Sequence, residues 1–222
     1  MTAGSGAGDG RTVGRVYAGA DAPTRQAERL AKLEAAGLQL FATVGYQETT
    51  VAAVCELAKV SRRHFYEQFA DREALLRHLY TQAQDRGRAA VADALAGGAR
   101  GTGPEAVRAL VSAGVAAYIG TVLADPRTLR VAFVEVVGVS ADLERFRLAN
   151  RAEWAALVRA AAEDAGARAT APWVYAAFIP SVNEFLMAWW QNAPDRSDPA
   201  ELVAVLTSVL ADLLVAAPPD GN

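Results

Sequence analysis

Apolar positions recur at helical spacing along most of this chain. Leu30, Leu33, Gly37, Leu40, Phe41 and Val44 lie three and four apart, so the stretch from about Pro23 to Val44 predicts an amphipathic helix that Gly45 stops in a C-cap position. Val51, Val54 and Ala58 give a second apolar face about two turns long, with Thr49 or Thr50 placed to cap it. Ser61 can cap a third, on which Phe65 and Phe69 share a buried face while Arg62, Arg63 and Tyr66 lie beside it. Asp71 then opens a helix through Leu75, Leu76 and Leu79 that continues past Val91 and Leu95 to the break at Gly97, Gly98 and Pro104.

Beyond that break the same signals mark further helices. One runs from Pro104 to Leu123 over Val107, Leu110, Val111, Val115 and Tyr118, closed by Asp125-Pro126, which also starts the next. Residues 126–137 form a short apolar element in which Glu135 is the exception. Ser140 caps a longer helix to Ala165, stopped by Gly166, and Thr170 is the expected cap of another that reaches about Gln191. Asp198-Pro199-Ala200-Glu201 reads as a capping box ahead of Leu202, Leu206, Val209, Leu210 and Leu213. No internal repeat emerges. The fold class is all-α with about nine helices, and the division expected is a disordered tail over 1–22, a three-helix head over 23–80 and a helical second domain over 81–218.

Composition narrows this reading. With 222 residues and 52% hydrophobic content the chain can bury a substantial core. Its longest apolar run, Ala171 to Val182, contains Pro180 and is shorter than the roughly 20 residues a membrane span requires, so no membrane partner is expected. The single cysteine, Cys55, excludes an intrachain disulfide and fits a reducing cytoplasm. A net charge of −3 opposes wholesale attraction to nucleic acid, but residues 1–80 are slightly basic and the remainder acidic. DNA affinity would therefore come from a local patch of Lys59, Arg62, Arg63 and Arg72, with Arg11 and Arg15 of the tail as a possible arm.

A short helix, a tight turn and a second short helix with a polar outer face is a helix-turn-helix, whose second member enters the DNA major groove. Here the residues resemble a known family. Phe41, Gly45-Tyr46, Thr49-Thr50-Val51, Ala58, Val60-Ser61, Phe65-Tyr66, Phe69 and Glu73-Ala74-Leu75-Leu76 resemble, in register, the N-terminal domain of the TetR family of transcriptional regulators, over roughly residues 25–80. Two positions depart from its pattern. Lys59 stands where the family often has Gly, so a left-handed backbone there would cost about 1 kcal/mol, and His64 stands where a small residue is usual.

The helix-turn-helix reading nominates Thr50, Ser61, Arg62, Arg63, His64, Tyr66 and Arg72 for DNA. The arginines suit guanine O6 and N7, while Tyr66, Thr50 and Arg72 suit phosphates. The resemblance implies a homodimer on a palindromic operator, a small-molecule effector in the second domain and repression as the default output. It also implies that the last two helices pair with their mates across residues 170–216, which nominates Trp189, Leu202, Leu206, Val209, Leu210 and Leu213. The aromatic stretch Trp173, Tyr175, Phe178, Phe185, Trp189 and Trp190, with Asn183 and Glu184, could instead line a cavity; both readings stand. If it is interface, Tyr118, Phe133, Glu135 and Trp154 are the candidates for the effector cavity. Cys55, His64 and His78 make no metal-ligand set, no cofactor is implied, and no nucleophile or phosphate-loop motif argues for an enzyme. The rival functions are a small-molecule carrier of the same fold that does not bind DNA, and a helical enzyme.

Overall fold

The computed structural model describes residues 21–97, 101–168, 170–193 and 198–215, so most of the expected tail, with Arg11 and Arg15, lies outside the described residues. All regular structure among the described residues is helical: α1 (Asp21–Thr43), α2 (Val51–Ala58), α3 (Arg62–Tyr66), α4 (Arg72–Ala96), α5 (Pro104–Leu123), α6 (Pro126–Arg130), α7 (Ala141–Asp164), α8 (Pro172–Asn192) and α9 (Ala200–Val215). Between α6 and α7 the helix widens into a π-helical segment, Val131–Glu135.

Caps fix most of these boundaries. Thr50 accepts from the Ala53 N–H, Ser61 from His64, Asp71 from Ala74, Asp125 from Arg127 and Ser140 from Leu143, each with a side-chain oxygen that satisfies an amide the helix cannot. Thr170 is not a cap: α8 starts one residue later, with Ala171 as the capping position and Pro172 at the first turn, where its missing N–H costs nothing. Pro180 sits inside α8 and removes one intrahelical bond there.

Two apolar clusters hold the chain together. The head cluster joins Leu33, Phe41, Val54, Phe65, Phe69, Leu75 and Leu76, and it draws in Val131, Ala132, Val136 and Leu143 from well beyond the head. The other packs α5, α7, α8 and α9 around Ile119, Trp154, Leu186, Leu206 and Leu210. α4 runs through both, contributing Leu75 to Tyr80 to the first and Val91 to the second. α5 is long and apolar enough to cross a membrane by length and composition, but it packs between α4 and α9 at the centre of the second cluster.

Candidate nucleic-acid interface and internal cavity

The turn between α2 and α3 is made by Lys59 in the left-handed region, at φ 53° and ψ 41°, and its N–H closes α2 on the Glu56 carbonyl. Lys59 is the one non-glycine residue with positive φ among the described residues, so the expected strain is present. α3 is only five residues long and is fixed from below. Phe65 is fully buried, its ring 5.6 Å from Phe69, and Phe69 in turn lies 5.3 Å from the His78 ring of α4. His78 Nε2 and Gln82 Nε2 both meet Glu34 Oε1, at 2.6 and 2.8 Å, which ties α4 to α1.

Above this anchor Arg62, Arg63 and Tyr66 are exposed, Tyr66 by 57%. Arg62 presents its whole guanidinium, whereas Arg63 gives its Nε to Glu67 Oε1 at 3.1 Å and keeps its terminal nitrogens outward. Ser61 and Thr50 are occupied as caps. The Ser61 hydroxyl lies 2.9 Å from His64 Nδ1 and also accepts the His64 N–H, so His64 buttresses the start of the helix. Arg72 departs from its expected role as a phosphate contact. Its NH1 donates to the carbonyls of Tyr46, Gln47 and Thr49 at 3.1, 2.9 and 2.7 Å, and its guanidinium lies 4.5 Å over the Tyr46 ring. Arg72 is therefore a clamp that closes the α1–α2 loop onto α4. Cys55 is a packing residue whose thiol burial pushes up, which disfavours the reactive thiolate.

Glu135 also leaves its expected place. It faces the head, not the cavity: Oε2 accepts the Tyr46 N–H at 2.7 Å and Oε1 accepts Arg130 Nε at 2.9 Å. Gly45, at φ 97°, makes the approach possible, because a side chain there would be strained and would crowd the carboxylate. A second strut lies nearby, where the Ser140 hydroxyl donates to Glu73 Oε1 at 2.6 Å. The segment between α5 and α7 is thus fastened to the head at the α1–α2 loop and at the first turn of α4.

The other cavity candidates are placed around two adjacent chambers. The first, about 330 Å³, lies between α4, the π segment, α7 and α8 and is lined by Phe133, Trp154, Pro180 and several polar side chains. The second, about 60 Å³, is apolar, is lined by Tyr118, Phe178, Val182 and Leu210, and shares Trp154 and Ile179 with the first. Gly87 lets α4 come close here, since a Cβ at that position would stand 3.2 Å from the Tyr118 ring. The Tyr118 hydroxyl donates to Asn183 Oδ1 at 2.9 Å, and burial pushes its phenol far above the ordinary value. Burial also raises the Tyr80 phenol, against the pull of the nearby Arg147 and Arg151.

Sequence reasoning missed Gln84, Asn150, Arg147 and Arg151, which line the larger chamber. A signal existed: Gln84 interrupts the apolar stripe of α4 between Tyr80 and Val91, and Asn150 interrupts that of α7 between Leu143 and Trp154.

The nominated interface residues divide. Leu202, Leu206 and Leu210 are buried within their own subunit, so they are unavailable to a second one, because the inner face of α9 packs on α5. Val209 and Leu213 point outward with Val205, and Trp189 is half-buried. The aromatic stretch splits as well: Phe178 lines the apolar chamber and Tyr175 is core, while Trp173 and Phe185 are exposed.

The described residues thus form a helical head whose short, capped α3 turns an exposed polar face outward, set on a larger helical body. Residues 33–79 match the sequence model described as bacterial regulatory proteins, tetR family, so the chain carries the N-terminal domain of that family. Solved structures extend the likeness to the whole fold. The fatty acid degradation regulator FadR from Bacillus halodurans aligns at a TM-score of 0.69 and 16% identity, over 82% of this chain and 94% of that one. FadR from Bacillus subtilis, solved in complex with stearoyl-CoA, aligns at 0.66 and 13% identity, over 86% and 100%. A tetR-family regulatory protein from Rhodococcus RHA1 aligns at 0.62 and 18% identity, over 86% and 98%. No curated protein matches the sequence.

Proposed function

We propose that this protein is a cytoplasmic, ligand-responsive transcriptional repressor. It is not an enzyme: it binds a palindromic operator as a homodimer through its head, residues 23–80, and leaves it when a small molecule occupies the chambers of the second domain, residues 81–218. The observation that carries this reading is the exposed Arg62, Arg63 and Tyr66 face of α3, held rigid by the buried Phe65 and Phe69 within a head that matches the TetR family. Such a helix presents bidentate donors to base edges in the major groove. The effector half of the reading is supported by the chambers between α4, α5, α7 and α8, and by a protein of the same fold that forms a complex with stearoyl-CoA.

Selection of bound fragments from random duplex DNA tests the proposal. Enrichment of a site with dyad symmetry, bound with an affinity that falls steeply as salt rises, is the expected result. No enrichment at low salt would leave the carrier reading in its place.

A further inference from the structure

The larger chamber is lined by three carboxamides, Gln84, Asn150 and Asn183, and each spends its oxygen on the protein. Gln84 Oε1 accepts Trp154 Nε1 at 2.8 Å, Asn150 Oδ1 accepts Arg88 NH1 at 3.0 Å, and Asn183 Oδ1 accepts the Tyr118 hydroxyl at 2.9 Å. Two of these orientations are compelled, because an indole N–H and a guanidinium can only donate, so the amide must turn its oxygen toward them. The amide NH2 groups are what remains, and none makes a hydrogen bond to another described residue. Gln84 and Asn150 are each only 5% exposed.

Arg147 and Arg151 line the same chamber. Arg147 is nearly buried and gives NH1 to Glu144, at 2.6 and 2.9 Å to the two carboxylate oxygens, and Arg151 is exposed. The only carboxylate among the lining residues is Glu184, which is exposed at the rim. Apart from the Tyr80 hydroxyl, which can both donate and accept, the polar lining inside the rim is thus made of donors, and donors in so enclosed a site favour a ligand that accepts.

We infer that the effector is a small amphiphilic anion. Its acceptor-rich head, a carboxylate or a phosphate, is held by the amide groups of Gln84, Asn150 and Asn183 and by the arginines, and its short alkyl part enters the apolar chamber past Trp154 and Ile179. The size of that chamber, about 60 Å³, sets the limit on the tail, since even benzene calls for a dry cavity of about 150 Å³. This deepens the effector half of the proposed function and rests on it.

Direct binding separates the two. Butyrate, butyl phosphate, butanamide and butylamine, whose short chains suit a chamber of about 60 Å³, are titrated into the full chain by calorimetry, without DNA. The anions should bind and the amide and amine should bind at least about tenfold more weakly, with the better anion distinguishing a carboxylate from a phosphate effector. Asn150→Asp keeps the oxygen that Arg88 needs and replaces the inward NH2 with an oxygen. It should lower anion affinity by about tenfold or more, the factor that corresponds to roughly 1.4 kcal/mol. Asn183→Asp does the same beside Tyr118 and serves if the first variant does not keep the wild-type circular dichroism. Wild-type anion affinity in a folded Asp variant overturns the inference, as does equal binding of butanamide, preference for butylamine, or no binding of either anion at millimolar concentration. Anion binding that fails to release DNA upholds the ligand class and counts against the effector role alone.

Discussion

Phe65 and the Arg62 and Arg63 that precede it on α3 differ sharply in exposure within one turn of helix. Phe65 is fully buried, so Phe65→Ala should cost about 3 to 5 kcal/mol of stability, read in denaturant melts, by deleting a ring the head cannot collapse around. Arg62 and Arg63 are exposed, so replacing both with Ala should change stability by less than about 1 kcal/mol, since an ordinary surface site costs about 0.5. The same pair should weaken operator binding and shrink its salt slope by about one unit per lost phosphate contact, or relax discrimination at one base pair by about 1 to 3 kcal/mol if a base is read. Unchanged affinity and salt slope in the folded double variant would remove α3 from the groove. Lys59 carries a separate prediction. Its left-handed backbone suits Gly, so Lys59→Gly should leave the head as stable or stabilise it by up to about 1 kcal/mol, whereas a β-branched Val there should destabilise it. The caps and the Phe pair were legible in the sequence as local signals, and the left-handed turn at Lys59 through the resemblance to the TetR family, which often has Gly there. Arg72 was not legible: three loop carbonyls converge on it only once α1 and α4 have packed, and no spacing along the chain announces that.

Among the elements, the nine α-helices of the described residues follow from period and caps, and their ends agree with the sequence to within a few residues because capping chemistry is local. The π segment at Val131–Glu135 had no such signal, and with it the role of Glu135 stayed hidden: the only acid in an apolar run suggested a ligand contact. Its partner is the Tyr46 N–H, 89 residues away in sequence. That contact makes a mechanical prediction. The π segment borders the larger chamber through Ala132 and Phe133 and holds the α1–α2 loop through Glu135, so ligand-driven movement there would be passed to the head. Glu135→Gln keeps one acceptor oxygen for Tyr46 but loses the ion pair with Arg130; Glu135→Ala loses both. Operator affinity without effector should survive in the Gln variant, and release by effector should be blunted most in the Ala variant. Competition titrations with labelled operator read this directly. An Ala variant that releases DNA at the wild-type effector concentration would show that the signal travels through another element, α4 being the obvious one.

For the molecule as a whole, the test concerns how two copies would meet. The leucine run of the last helix invited the reading that all of it serves a partner, but periodicity alone cannot tell an inner apolar face from an outer one when both sides are leucine or valine. Packing divides them: Leu202, Leu206 and Leu210 fill the core against α5, and Val205, Val209 and Leu213 form an outward stripe exposed by 42%, 43% and 52%. Such an apolar stripe, with Phe185 of α8 also exposed, is the kind of surface a soluble protein covers. Two substitutions should therefore behave differently. Leu206→Ala should lower subunit stability by about 2 to 5 kcal/mol, as deletion of a buried leucine side chain does. Val209→Glu combined with Leu213→Glu should preserve the helical circular dichroism yet sediment as a monomer, and the monomer should lose most affinity for a two-half-site operator while retaining weak binding to a single half-site, because linking two heads multiplies their affinities through effective concentration. A folded double Glu variant that still sediments as a dimer would move the interface off α9 and onto another surface of the body.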